Sequence, residues 1–286
     1  MSKVDQFESV FRSALHDVFV SEQLNFNKII IISDLDSAAH REFENSIKIF
    51  SNNIDIEHNA QWLSLNKNDY TSSQDLMNSI EQLKPELIFT YRNLHSSAWQ
   101  YSHSLGEHLD VLIQKTLIPV VVVPHPQEKN SKFSSLKNTN VVMAITDHLS
   151  LDNDLVNNAA HFTQAQGRLY LMHIENATTF DYYMEVISKI STIDTDEARE
   201  KIALQLLKNP KDYIESVKTL LEQEKPNIDI KAIVGFGHHL TEYKKYINQH
   251  EVDLLVMNTS DKEQMAMHGL AYPLVVELRT IPLLLI

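Results

Sequence analysis

The sequence repeats itself, and the repeat limits the architectures open to it. One half opens on "KIIIISD" (Lys28–Asp34) and closes on "IPVVVVP" (Ile118–Pro124). The other opens on "NVVMAITD" (Asn140–Asp147) and closes on "IPLLLI" (Ile281–Ile286). Each half also carries a later apolar strand led by an acid, "ELIFT" from Glu86 and "DLLVM" from Asp253. In both halves a glycine stands 13 positions before the proline of the last strand, Gly106 before Pro119 and Gly269 before Pro282. Between them Leu109, Leu112 and Ile113 align with Tyr272, Val275 and Val276, one stripe at helical spacing. Apolar β-branched runs alternating with amphipathic helices predict parallel α/β sheets.

The halves differ in length. Asp34 to Gly106 spans 72 positions and Asp147 to Gly269 spans 122. The excess matches the segment 178–226, which reads as helices. "FDYYMEVISKI" is apolar at helical spacing, and Asp194 with Glu197 gives a capping-box-like start to the next helix. Asn209–Pro210 is expected to break that helix, which resumes at "KDYIESVKTLLEQE". The first half is short by one strand–helix unit.

Four segments follow. Residues 1–24 form an amphipathic helix with Val4, Phe7, Val10, Phe11, Ala14, Leu15, Val18 and Phe19 on one face. A first domain covers 25–124, a polar linker 125–138, and a second domain 139–286.

The chain resembles the universal stress proteins, as two UspA-like domains in tandem. The resemblance rests on the opening strand with its aspartate, the closing helix-plus-strand signature and the duplication. It implies a Rossmann-like, adenine-nucleotide-α-hydrolase-like fold in each domain, a mainly parallel sheet flanked by helices. The first domain is shortened and the second carries a helical insertion. Many members of that family bind ATP through the aspartate after the first strand. Their fourth strand is followed by glycine, two residues, glycine, nine residues, glycine, then serine or threonine. Glycines in such a loop let backbone N–H groups approach phosphate closely.

Five glycines in 286 residues fall far below the usual ~7%. In the second half Asn258 and Asp261 replace the first two motif glycines; Gly269 comes two residues early, followed by Leu270. In the first half Tyr91 and Leu94 replace them; Gly106 comes two residues late, followed by Glu107. Carboxylates at Glu107 and Asp261 would face a phosphate. The residual cofactor-binding candidates are Asp147, Asn258, Thr259, Ser260 and Gly269, with Asp34 and Gly106 weaker. Asp34 and Asp147 also suit helix N-caps, and the glycines suit tight helix entries.

The expected function is a non-catalytic stress-response or regulatory module with a degenerate nucleotide site, acting through protein interaction. No cofactor is required, and no catalytic or metal residues are assigned. The alternative is an ATP or adenine-nucleotide sensor with atypical loops. A remote alternative is a magnesium-dependent phosphatase using Asp34 and Asp36, because "IIIISDLDS" resembles the haloacid-dehalogenase opening motif. That motif expects glycine then threonine, and here stand Ser37 and Ala38.

Absence of cysteine excludes disulfides and thiolate metal sites. A net charge of −13 disfavours nucleic acid. No apolar run reaches membrane-spanning length, and no signal-peptide pattern opens the chain, so a cytoplasmic location is expected. The strands Pro119–Val123 and Pro282–Ile286 are apolar potential edges. They are expected to pair, in a homodimer or an intramolecular pseudo-dimer.

Overall fold

The computed structural model describes residues 19–52, 54, 56, 59–101, 104–127, 136, 138–146, 152–225, 227–259 and 271–286. The first part of the chain runs β1 (Lys28–Ile32), α1 (Ser37–Ser51), β2 (Gln61–Leu65), α2 (Ser73–Leu83), β3 (Leu87–Tyr91), a 3-10 turn (Ser97–Gln100), α3 (Glu107–Lys115) and β4 (Val120–Val123). The second runs β5 (Val141–Ile145), α4 (Asn153–Phe162), β6 (Arg168–Asn176), α5 (Ala177–Ser188), α6 (Thr195–Glu224), β7 (Asp229–Gly237), α7 (His239–Gln249), β8 (Leu254–Met257), α8 (Ala271–Glu277) and β9 (Leu283–Leu285).

Among the described residues, nine strands join one sheet in the order β2-β1-β3-β4-β9-β8-β5-β6-β7. Every pairing is parallel except β4 with β9, where Val121 stands opposite Leu284. The sheet therefore comprises two parallel runs of opposite direction, joined through their last strands. Read outward from that seam, the runs are β4-β3-β1-β2 and β9-β8-β5-β6-β7. The second run ends one strand further out. The unit that is short in the first half is thus the edge unit, the position that costs the fewest strand pairings to lose.

The continuous Val, Ile and Leu runs are explained by their position. β3, β4, β8 and β9 are buried along their whole length, as strands covered by helices on both faces must be. The helices carry local stop and start signals. Ser72 and Asp75 form a reciprocal capping box on α2. The Asp194 carboxylate accepts from the Asp196 and Glu197 N–H groups at the start of α6.

Two expectations are corrected. Asp34 does not cap the helix that follows it; Asp36 does, accepting from the Ala38 and Ala39 N–H groups at 3.0 Å. Pro210 does not break the insert helix, for α6 runs unbroken over 30 residues with Pro210 inside it. Proline removes one main-chain bond there, but both flanks are held independently. On one side Arg199 pairs with Asp181 of α5 at 2.8 Å. On the other, Tyr213, Ile214, Val217 and Leu221 are buried.

The proposed 1–24 helix lies mostly on residues 1–18, outside the described residues. Residues 19–24 are irregular. The Asn157 side chain holds that stretch, donating to the Val20 carbonyl at 3.0 Å and accepting from the Glu22 N–H at 3.0 Å.

Candidate functional site

In a parallel α/β sheet the carboxyl ends of the strands form the crevice where ligands bind. Asp34, two residues beyond β1, sits at that rim, and each of its carboxylate oxygens accepts a hydrogen bond. The Tyr91 hydroxyl donates to Asp34 Oδ1, and the Asp34 N–H donates back to the Tyr91 oxygen at 3.1 Å. The His95 main-chain N–H donates to Asp34 Oδ2 at 2.8 Å. His95 reaches that position with φ 55° and Asn93 nearby has φ 61°. Left-handed backbone costs a histidine energy, and the bond to Asp34 offsets it.

Tyr91 is 0% exposed. Its ring meets Phe43 and His125 edge-on, with centroids 5.2 and 4.8 Å apart. Burial and the Asp34 charge raise the Tyr91 pKa, so the phenol stays a donor. Beside this pair is a cavity of about 380 Å³ whose lining includes Asp34, Lys67, His95, Ser96, His125 and Gln127. That volume is at the small end for organic ligands.

Gly106 is the N-cap of α3 with φ 85° and ψ 147°. A Cβ there would lie 2.6 Å from the Asn93 Cα, a backbone atom. The two segments are also stitched by the Asn93 N–H donating to the Leu105 carbonyl at 2.6 Å. Close backbone approach and a φ that only glycine adopts freely explain the residue without a ligand. Gly106→Ala is expected to destabilise the protein by about 2–5 kcal/mol, checked by urea denaturation. Glu107 opens α3 and accepts from the Ser73 hydroxyl, in the first turn of α2, at 2.7 Å. A protein carboxylate thus lies at the N-terminal turns of two helices, where helix dipoles favour negative charge.

In the second half Asp147, Ser260 and Gly269 lie outside the described residues. Asn258 donates its amide to Asp152. Asp152 also caps α4, accepting from the Leu155 N–H at 3.2 Å, and burial raises its pKa. The Thr259 N–H and hydroxyl both donate to the Ile286 carbonyl, at 2.8 and 3.0 Å. Asn258 and Thr259 therefore brace α4 and the end of β9. Among the described residues, the bonds of Asn258 and Thr259 do not run to Asp34.

Three residues that line the cavity beside Asp34, His125, His95 and Lys67, were not among the candidate binding residues. His125 falls in the polar stretch read as a linker, yet it is 3% exposed. Burial pushes its pKa down to about 4, with Arg279 and Arg92 adding to this and Asp34 opposing it. Burial also lowers His40 and His95. An unfolded histidine titrates near 6.5, so below that pH the unfolded chain binds more protons than the folded one. Stability should therefore fall as pH drops from about 6.5 to about 4, with His125 contributing on the order of 2–3 kcal/mol. Asp152, whose pKa is raised, acts in the opposite sense at lower pH, within the carboxylate range. Denaturation midpoints across this window check the slope, and His125→Gln should flatten it.

Arg92, directly after β3, spans the two runs of the sheet. Its guanidinium donates to the Val276 carbonyl at 3.1 Å and the Leu278 carbonyl at 2.7 Å, at the end of α8.

Asp36 spends one carboxylate oxygen on its cap. Among the described residues no group of three or more His, Asp or Glu is placed to hold a metal ion, and no helix is long and apolar enough to cross a membrane.

No protein-family model and no curated protein matches the sequence. Solved structures do. A universal stress protein from Archaeoglobus fulgidus aligns over 92% of this chain and 98% of its own, at 11% identity and a TM-score of 0.50. A putative universal stress protein from Pseudomonas aeruginosa UCBPP-PA14 aligns over 91% and 93%, at 11% identity and a TM-score of 0.48. A functionally unknown protein from Pseudomonas aeruginosa PAO1 aligns over 91% and 92%, at 9% identity and a TM-score of 0.47. The mostly parallel sheet, flanked by helices, is a UspA-like α/β fold.

Proposed function

We propose that this chain is a universal-stress-protein-type regulatory module of two tandem UspA-like units, non-catalytic and cytoplasmic, whose nucleotide site is filled by its own side chains. The observation that carries the reading is the closed set of bonds around Asp34. A carboxylate that would meet an adenine ring already accepts from a buried tyrosine hydroxyl and a main-chain N–H. Tyr91 stands at the position of the family's first loop glycine, so the residue that replaces the glycine also replaces the ligand. Glu107 extends the substitution to the phosphate end, where its charge would oppose a phosphate's. In this reading these residues take the place of an adenine nucleotide.

What remains is a scaffold. The antiparallel pairing of β4 with β9 uses strands that would otherwise be open edges. In this reading the two units act as an internal pseudo-dimer and the outer surface meets a protein partner. The A. fulgidus structure, described as a universal stress protein, supports the fold of such a module.

The competing reading is an adenine-nucleotide sensor acting through the second unit, with Asp147, Asn258, Thr259, Ser260 and Gly269. A thermal-shift series separates the two. The scaffold reading expects no change in melting midpoint at millimolar ATP or ADP with magnesium. The sensor reading expects a rise that Asp147→Ala abolishes, since a ligand at a hundred times its Kd adds about 2.7 kcal/mol.

A further inference from the structure

The helical insert carries an apolar face that the described fold leaves open. Met184 alone of α5 is buried. Tyr182 is 61% exposed and Tyr183 is 57% exposed, and Val186, Ile190 and Ile193 are exposed as well. Tyr183, Val186 and Ile190 follow one another at helical spacing with Tyr182 beside them, so the four share one face. Lys189 keeps helical backbone and the Ile190 N–H donates to the Ile187 carbonyl at 2.9 Å, which carries that face to Ile190. A tyrosine side chain offers roughly 200 Å², so the two tyrosines alone expose more than half of that each. With the three aliphatic side chains the patch reaches roughly 450 Å², in the range of the largest apolar patch on a monomer, which is often functional.

We propose that a second copy of this chain is the occupant, docked α5 against α5 about a two-fold axis. The charges beside the apolar face support this. Asp181, Glu185 and Lys189 recur every four residues along one flank of α5. Glu185 and Lys189 pair within the chain at 3.0 Å, and Asp181 pairs with Arg199 of α6. A two-fold axis beside Val186 sets the two helices antiparallel and brings each flank against its own copy. At 1.5 Å of rise per residue, Lys189 then lies about 3 Å along the helix axis from both Glu185 and Asp181 of the second copy. Tyr182 meets Ile190 of the second copy, and Val186 meets itself. The flank is thus complementary to its own reverse, acidic toward one end and basic toward the other, which suits a self-pairing face. The area agrees. Two such patches, with the exposed Glu185 and Lys189 beside them, bury about 1,000 Å² together, the level a specific interface must clear.

This inference is independent of the nucleotide reading, because no residue of the candidate site takes part. The test is sedimentation equilibrium of the full chain into the high micromolar range. The expected result is a reversible dimer that Val186→Asp abolishes, since that change sets two carboxylates against each other at the axis. Val186 is exposed, so circular dichroism should show the variant folded. Lys189→Glu should also lose the dimer, and Lys189→Glu with Glu185→Lys should regain it. The sequence has no cysteine, so a thiol can be introduced cleanly. Val186→Cys treated with a short bis-maleimide should cross-link chain to chain. Leu117→Cys, exposed outside the insert, should not. A chain that stays monomeric throughout would overturn the proposal. So would a dimer that survives Val186→Asp, or equal cross-linking at the two positions, either of which puts the pairing on another face.

Discussion

Leu284→Asp should abolish cooperative folding of the whole chain. Leu284 is 0% exposed. It stands between Val121 on one side and Val256 on the other, in the middle strand of the nine. β9 is three residues long, yet it is the strand through which the two parallel runs join. An aspartate there must either stay charged in an apolar layer or take up a proton. Either course costs several kcal/mol, and the lost leucine packing adds about 2–5 kcal/mol more. The sum, at least about 5 kcal/mol, is comparable to the whole stability of an ordinary domain. Circular dichroism and urea denaturation would show loss of the cooperative transition. Leu278→Asp is the matched control: that residue is only partly buried, at the packed margin of the core, so the loss should be smaller.

Arg92→Met should cost about 3–5 kcal/mol, because it removes two buried bonds from a charged donor, each worth about 1.5–3 kcal/mol. Arg92 is 2% exposed, and its two charge-assisted bonds end on carbonyls in the last turn of α8 and just beyond it. Those carbonyls have no further turn to bond to, so a cation suits the site. Methionine fills most of the volume but leaves both carbonyls without this donor. Arg92→Lys should recover only part of the loss, because one ammonium cannot reproduce the fork. Since the bonds run from the end of β3 to the other run of the sheet, the variant should also expose α8 to faster hydrogen exchange. Equal protection of α8 in the variant and the parent would contradict the bridging role.

Much of the fold was legible in the sequence, and the reason is physical. Strands buried on both faces must be apolar throughout, so "KIIIIS", "VVVV" and "LLLI" announce themselves. The 13-residue spacing placed the last helix and strand of each half. The errors have causes of the same kind. Asp34 and Asp36 both suit a cap, and which one turns toward the helix depends on Tyr91, 57 positions away. Pro210 is a local helix-breaker, but contacts on both sides of it carry α6 through.

The site was less legible. Position and spacing identified Asp34 and Gly106, and Tyr91 stood out as an obstruction in a glycine position. Its pairing with Asp34 needed β1 and β3 to be neighbours in the sheet, an order that no local pattern states. His125 sits in a polar stretch of sequence that folds inward against Tyr91. Arg92 was not singled out in the sequence and is a buried bridge. The signal that could have found it is its position, immediately after a fully apolar strand.

The central claim is that Asp34 is satisfied by Tyr91 and His95 in place of a nucleotide. The most direct test is isothermal titration of the full chain with magnesium–ATP into the millimolar range, beside Asp34→Ala. The account predicts no saturable heat from either protein. Saturable binding to the parent that disappears in Asp34→Ala would contradict it.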